Sequence, residues 1–298
     1  MTKTTKNKKL GMLTGLSYEG GRVGVLLIHS LGGTPLELKY VAQGFAREGY
    51  TVECPMLPGM TNGTDVLSLS RWQDWYSEVE RVFEELCQSC DTVFVGGLSA
   101  GSILALKLAK ERPEDVAGVL AFAPTLYPNG WAIPWTFNLY RLVTARWFAR
   151  LFWFSQRAPY GIKDERIRKF MVDSFKAEDR TLEEVYARPG VMVLEFRRLV
   201  RQVLKDLSSV TAPTLIAHPR QDDQSCLRNA LKLQYKLGGA VEALVLDDSY
   251  HIVTLDRQRD FVLDRALDFT SRQLSRIESE RKAAAPKRRT ADIVEISG

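Results

Sequence analysis

The segment 92–109 most constrains the fold, because it predicts a strand, a sharp turn and a helix in immediate succession. The β-branched and aromatic run Val93–Val95 is typical of a buried strand, and the apolar residues 103–109 predict a helix. Between them, Gly97–Gly101 has the pattern G-x-S-x-G with Ser99 at its centre. The flanking glycines allow the strand and the helix to approach closely. The segment therefore predicts an α/β protein that presents a serine at the edge of its sheet.

The G-x-S-x-G pattern alone does not establish a function. It occurs by chance in roughly one chain in ten of this length, and an ordinary glycine-rich turn is the alternative. The functional interpretation is a nucleophile elbow, which holds its serine in a strained conformation at the top of a sheet. That interpretation requires a base and an acid at the same edge.

Apolar strands alternate with amphipathic helices, which predicts an α/β fold with a doubly wound, mostly parallel sheet. Thr34 and Glu37 predict the start of one helix, as its N-cap and its capping-box glutamate. The predicted strands are Val23–Ile28, Tyr50–Cys54, Val93–Val95, Val116–Phe122, Thr214–Ala217 and Val241–Leu246.

The alternation stops for the 88 residues 125–212, far more than a simple crossover needs, which predicts an inserted, mainly helical cap. The α/β core is then formed by residues 21–124 and 213–276. Residues 1–20 are predicted to be a polar extension, and residues 277–298 a disordered basic tail.

The first part of the insertion, residues 131–154, contains nine aromatic residues. Three arginines interrupt it, which argues against a membrane span. We expect a lid over an apolar pocket; an interfacial amphipathic helix and a small self-packed subdomain are the alternatives. The residues expected to contact a substrate are Trp131, Trp147, Phe148 and Phe152.

Composition and charge indicate which binding partners and which cellular compartment to expect. The net charge of +5 is concentrated in basic clusters near both ends, which suggests peripheral contact with an anionic membrane, whereas no motif indicates nucleic-acid binding. A secretory signal is not evident, and four cysteines in 298 residues suit a reducing compartment, so we expect a cytoplasmic protein. No metal site and no organic cofactor are expected, and the sequence leaves the oligomeric state open.

One histidine and one of two aspartates are placed to act as the base and the acid that Ser99 requires. The three histidines of the chain are His29, His218 and His251. His251 follows the last predicted strand, and Asp222 and Asp223 follow the strand before it, so all lie at the carboxyl edge of the sheet with Ser99. The order Ser99, Asp222, His251 is that of a Ser-Asp-His triad, with Asp222 preferred to Asp223 as the acid.

A serine nucleophile also needs donors for the oxyanion that develops as it attacks. One is expected to be the backbone N–H of Ala100, which follows the nucleophile at the start of a helix. The other is expected in the loop after the first strand, at Leu31, where Gly32 and Gly33 allow the chain to curl toward the serine.

Three segments together resemble the α/β-hydrolase superfamily, specifically bacterial carboxylesterases and monoacylglycerol lipases. They are Leu26–Gly33, Gly97–Gly101 and Ser249–Asp256. The resemblance covers most of the chain and implies a serine hydrolase that cleaves carboxylic esters with a medium or long acyl group, with Asp222 as the acid and no cofactor. A thioesterase, an acyltransferase using the same triad, and a non-catalytic binding protein are the alternatives.

The chain departs from the pattern of this family at two places. Ser30 stands where relatives usually have glycine, which could crowd the oxyanion loop, and Pro58-Gly-Met-Thr61 replaces Pro-Gly-His-Gly at the pocket mouth. Neither departure removes a member of the triad.

Overall fold

A seven-stranded sheet forms the centre of the structure, a computed structural model that describes residues 15–60, 70–176 and 187–284. The main sheet contains β1 Leu16–Tyr18, β2 Val23–Ile28, β3 Thr51–Cys54, β4 Thr92–Leu98, β5 Val116–Phe122, and the later strands Thr214–Pro219 and Val241–Leu246. A separate two-stranded sheet in the insertion is formed by β6 Trp153–Ser155 and β7 Ala187–Pro189, so the last two strands of the main sheet are β8 and β9.

The order of the main sheet is β1-β3-β2-β4-β5-β8-β9, and the neighbours are parallel except for the edge pair β1 and β3. The prediction of a mostly parallel sheet is therefore confirmed. The order in which successive strands are added across the sheet reverses at β2, which lies between β3 and β4. Loops after β2 and β4 leave a crevice at such a switch point, and the loops after β8 and β9 end at the same edge.

Helices cover both faces of the sheet. The α-helices are α1 Lys39–Arg47, α2 Trp72–Ser89, α3 Ala100–Glu111, α4 Arg146–Ala149, α5 Glu165–Lys176, α6 Gly190–Leu204, α7 Arg228–Lys236 and α8 Arg259–Ala284. Short 3₁₀ helices lie at Pro35–Leu38, Trp135–Leu142 and Leu207–Ser209. One apolar core joins α2, α3 and α6 to the sheet, and a second joins α1 and α8 to its other face. The aromatic side chains of α2 contribute to the first core, where Trp75 and Phe83 are buried.

The predicted boundaries of both terminal segments need correction. Leu16–Tyr18, assigned to the polar extension 1–20, instead pairs with β3 as an antiparallel edge strand. Helix α8 continues through residues 277–284, which were assigned to the disordered tail. Arg281 anchors this extra length by donating to the carbonyl oxygen of Asp91 at 3.0 Å. Residues 1–14 and 285–298, which carry the predicted basic clusters, lie outside the described residues.

The cap is shorter than the predicted segment 125–212. Helix α6 lies within that segment, yet Met192, Phe196 and Leu199 are buried in the core shared with α2 and α3. These positions recur every three or four residues, so one face of the helix meets the sheet layer. The inserted cap is therefore residues 125–189, and its described parts, 125–176 and 187–189, contain short helices and the β6–β7 pair. Within the described ranges, none of the helices has the length and apolarity needed to cross a bilayer.

Candidate active site

Ser99 lies in a sharp turn between β4 and α3, with φ 57° and ψ −110°. Non-glycine residues rarely adopt positive φ, so the backbone of Ser99 is strained. Such strain persists only where the surrounding structure holds the backbone in place. A Cβ on Gly101 would lie 2.0 Å from the carbonyl oxygen of Ile28, and one on Gly97 would lie 2.5 Å from the carbonyl carbon of Gly101. The two glycines therefore allow β2, β4 and α3 to meet at the turn, which has the geometry of a nucleophile elbow.

The Ser99 hydroxyl is almost buried and donates a hydrogen bond to Thr125 Oγ1 at 3.1 Å. Thr125 follows β5 and in turn donates to the carbonyl oxygen of Ala123 at 3.3 Å. Ser99, Thr125 and His251 all line one cavity. Thr125 was not predicted as a site residue, because no motif distinguishes it from an ordinary loop threonine.

His251 and Asp222 form a buried pair. His251 Nδ1 lies 2.8 Å from Asp222 Oδ2, and Asp222 Oδ1 accepts the backbone N–H groups of Gln224 and Ser225, each at 2.7 Å. These bonds fix the carboxylate after β8, so that it faces the imidazole presented after β9. His251 Nε2 is consequently the ring nitrogen left for the serine side of the site.

The pKa values of the pair move in opposite directions. Burial alone would lower the pKa of His251, but the facing Asp222, with Asp223 and Glu37, raises it above its ordinary 6.5. Burial would likewise raise the pKa of Asp222, yet the opposite charge and the hydrogen bond of His251 hold it below its ordinary value. Both effects favour an ionised Asp222 that stabilises a protonated imidazole.

This electrostatic arrangement predicts the acid limb of the pH profile. Only neutral His251 accepts a proton from serine, so kcat/KM should fall as the pH decreases through an apparent pKa above 6.5. Glu37→Gln should shift this limb to lower pH, because it removes a charge that raises the pKa of His251. The measurement is kcat/KM on a soluble ester against pH, with the exposed Glu48→Gln as the control. An acid limb with an apparent pKa below 6.5, or an acid limb that Glu37→Gln does not shift, would contradict this electrostatic account of His251.

Asp223 has a different position from Asp222. Its Oδ2 accepts the N–H of Gly161 in the cap at 2.8 Å, and its Oδ1 accepts the backbone N–H of His251 at 3.3 Å. It therefore holds the backbone of the histidine loop and the cap, whereas Asp222 contacts the imidazole. This geometry favours Asp222 as the acid, in line with the sequence preference.

The loop after β2 is fixed by His29. The ring of His29 accepts the N–H of Leu57 at Nε2, at 3.1 Å, so its Nδ1 carries the hydrogen and donates to the Ser30 carbonyl at 2.9 Å. Burial lowers the pKa of His29 to about 4, which keeps the ring neutral. The N–H of Gly33 also donates to the Ser30 carbonyl, at 3.1 Å. In a trans peptide the N–H of Leu31 points away from that carbonyl, and Leu31 lines the cavity.

Glu37 holds the same loop instead of capping a helix. Its carboxylate accepts the Ser30 backbone N–H at 3.1 Å and the Ser30 hydroxyl at 3.0 Å. Thr34 is the N-cap residue but makes no side-chain capping bond, so the predicted capping box is absent. The bond to Glu37 also shows how the loop accommodates Ser30, which the sequence suggested could crowd it.

A residue of the cap completes the support of this loop. Arg188 Nε donates to the Leu31 carbonyl at 3.0 Å, and its guanidinium lies so close to Gly32 that a Cβ there would be 2.3 Å from Nε. Gly32 has φ 66°, which suits glycine. Arg188 was missed because 157 residues separate it from Leu31.

The serine and the histidine open into a cavity of about 1040 Å³ between the core and the cap. Of the four predicted substrate contacts, Phe148 and Phe152 line it, with their rings edge to face at 5.2 Å. Trp131 and Trp147 lie outside its lining: Trp131 Nε1 donates to the Gln221 carbonyl at 3.1 Å, and Trp147 is 72% exposed. The apolar side chains that line the cap side include Ile133, Phe137, Leu139, Phe148, Phe152 and Phe154.

Known proteins resemble this chain in sequence and in fold. The thermostable monoacylglycerol lipase of Bacillus sp. (strain H-257) is 28% identical over 252 residues, 84% of this chain and 91% of the relative. The carboxylesterase of Bacillus subtilis (strain 168) is 22% identical over 255 residues, 85% of this chain and 94% of the relative. A structure from a study of the metagenome-derived lipolytic enzymes LipS and LipT superposes with a TM-score of 0.72 at 26% identity, covering 88% of this chain and 98% of that one.

A family model agrees with these matches over most of the chain. It is the model of a hydrolase family described as serine aminopeptidase, S33, and it matches residues 22–258, from the residue before β2 to the loop before α8. The matched region contains β2, the elbow, the whole cap and the histidine loop. The chain belongs to this family of α/β-hydrolases.

Proposed function

We propose that this chain is a serine hydrolase that cleaves carboxylic esters with a medium or long acyl group, by way of an acyl-enzyme on Ser99. The observation that carries the proposal is the single cavity in which Ser99 and the Asp222-paired His251 meet an apolar cap lining. The class of carboxylic ester hydrolase agrees with the monoacylglycerol lipase and the carboxylesterase that the sequence resembles.

The proposed reaction begins when the Ser99 side chain turns from Thr125 toward His251. Its oxygen attacks the ester carbonyl carbon while its proton passes to His251 Nε2, and Asp222 stabilises the imidazolium that forms. The carbonyl oxygen becomes an oxyanion, for which the N–H groups of Leu31 and Ala100 are the proposed donors. The N–H of Ala100 is available because the first N–H groups of a helix have no partner within it.

Collapse of the tetrahedral intermediate breaks the bond between the carbonyl carbon and the alcohol oxygen. The alcohol leaves with the proton from His251, and the acyl group remains on Ser99. Water then gives its proton to His251 and attacks the acyl carbon, which releases the acid and returns the proton to Ser99.

The lining of the cavity favours an ester over a substrate with a free α-amino group. Such a cation would need an uncommitted carboxylate, and among the described lining residues the one carboxylate is that of Asp223. Both of its oxygens already accept backbone N–H groups. Arg157 and Arg188 also line the cavity and would repel a cation.

The acyl-chain preference is expected to depend on Phe148 and Phe152. Burying a methylene contributes about 0.8 kcal/mol, so each added CH₂ should raise kcat/KM about threefold to fourfold until the pocket is full. Phe148→Ala and Phe152→Ala should flatten that slope and spare acetyl esters, whereas Trp147→Ala, a large aromatic outside the lining, should keep it. The measurement is kcat/KM against chain length. A wild-type profile that peaks at acetyl, or folded variants that lose all lengths equally, would contradict an acyl pocket.

A panel of matched substrates tests the proposed function. Esters and thioesters of the same acyl groups, and an aminoacyl amide, are compared at equal concentrations, with and without an added alcohol acceptor. We expect esters to be hydrolysed fastest and the acid to be the main product. A thioester preference, or an acylated alcohol as the main product, would assign the triad to a thioesterase or to an acyltransferase instead.

A further inference from the structure

The outer surface of the cap exposes a group of large apolar side chains that we term the apolar rim. Its members are Trp135, Leu139, Leu142, Trp147, Leu151 and Trp153, which are 52% to 81% exposed. They come from a stretch of nineteen consecutive residues, 135–153. Isolated exposed apolar residues are normal on soluble proteins, but a concentration of this kind marks an interaction surface.

The apolar rim continues into the catalytic cavity. Leu139, Leu142 and Trp153 are exposed to solvent and also line the cavity that contains Ser99 and His251. The rim therefore shares three apolar side chains with the cavity in which the acyl chain is proposed to bind.

The part of the cap that carries the apolar rim has charges of one sign. From Val116 to Lys163 the sequence contains no aspartate or glutamate and five cationic residues. Arg141 and Arg150 are exposed and lie within the same stretch as the rim. Tryptophan side chains favour the boundary between lipid and water, and arginines near a membrane are attracted by anionic headgroups.

We propose that the apolar rim docks onto the surface of an anionic lipid bilayer and that the ester substrate enters the cavity from there. The proposed docking depends only on the side chains of the cap, whereas the delivery of an ester substrate also rests on the proposed function. A second copy of the chain is a poorer occupant, because facing rims would bring two sets of arginines together without acidic partners from the same segment.

Co-sedimentation of the full chain with vesicles tests this assignment, since it measures binding without turnover. Vesicles of phosphatidylcholine are compared with vesicles that also contain phosphatidylglycerol. Trp135→Ser combined with Leu151→Ser removes rim side chains that do not line the cavity. Arg141→Gln combined with Arg150→Gln removes two charges and keeps the rim. The matched controls are on α7: Leu231→Ser with Tyr235→Ser, which are 52% and 83% exposed, and Arg228→Gln with Lys236→Gln.

We expect the wild type to bind the anionic vesicles, and added salt to weaken that binding. The apolar double variant should lower the partition coefficient on the order of tenfold, and each removed arginine about fivefold. The α7 controls should stay within about twofold, and each variant should hydrolyse a soluble acetyl ester like the wild type.

The proposal would be overturned if the wild-type protein did not bind anionic vesicles, or if the rim variants bound them as the wild type does. A dimer in sedimentation velocity that the apolar double variant dissociates would also overturn it, because the occupant would then be a second copy. Vesicle binding that depends on the rim in a protein without ester turnover would refute the proposed function and leave the docking surface standing.

Discussion

Replacing Ser99 or His251 by alanine is expected to lower kcat on a soluble ester by about 10⁴-fold or more. Without Ser99 no acyl-enzyme forms, and without His251 the serine hydroxyl keeps its proton. His251 Nδ1 is held by Asp222 at 2.8 Å, and no second histidine is placed to replace it. His29 donates to the Ser30 carbonyl, and His218 Nε2 lies 2.8 Å from the Ser225 carbonyl and 3.6 Å from Asp222 Oδ2. Neither ring lines the cavity that contains Ser99.

The double variant provides the control for this experiment. Because the two residues act in one step, Ser99→Ala combined with His251→Ala should be no slower than the slower single variant. Thermal unfolding of each variant verifies that the fold is retained. Activity within about tenfold of the wild type in folded Ser99→Ala would show that the nucleophile lies elsewhere.

The second large effect is expected from Asp222→Asn, with Asp223→Asn as its matched partner. An amide at position 222 can donate to His251 Nδ1, which favours the tautomer that carries its hydrogen on Nε2 and blocks the base; a loss of about 10⁴-fold in kcat is expected. Asp223→Asn leaves the pair of Asp222 and His251 in place and weakens only bonds to the backbone of Gly161 and His251. Its loss should stay within about tenfold.

The pH profile separates these two aspartates further. Asp222→Asn should lower the apparent pKa of any remaining acid limb, because it removes the largest charge that raises the pKa of His251. A near-normal Asp222→Asn together with an inactive Asp223→Asn would show that the acid has been assigned to the wrong residue.

Much of the candidate site follows from chain order and sheet geometry. Ser99, Asp222 and His251 each come directly after a predicted strand, and parallel strands end at one edge, so their proximity needs no knowledge of side-chain packing. The sequence analysis preferred Asp222 to Asp223, and the position of Asp222 in the family pattern agreed. The contacts of the two carboxylates favour the same assignment.

The supporting residues could not be predicted in this way. Glu37 has the spacing of a capping-box residue relative to Thr34. Only the folded loop shows that its carboxylate instead accepts hydrogen bonds from Ser30. Thr125 and Arg188 reach the site from the insertion. Contacts of such large sequence separation leave no periodic signal in the chain.

The errors in the domain boundaries have a similar origin. The end of α8 looks like a charged, low-complexity tail, yet Arg276 and Glu280 pair at 2.7 Å one turn apart, and Arg281 reaches the start of β4. The predicted substrate contacts in the cap followed aromatic density, which does not distinguish a side chain in the cavity, such as Phe148, from an exposed one, such as Trp147.

The central claim is that Ser99 is an activated nucleophile in a catalytic cavity. The most direct measurement is peptide mapping after reaction with a fluorophosphonate, which labels a serine only when its base and its oxyanion donors are in place. We predict one label per chain, on the peptide that contains Ser99, lost in Ser99→Ala and strongly slowed in His251→Ala. Full ester turnover without a label on Ser99, or a label on another serine that persists in Ser99→Ala, would contradict the account.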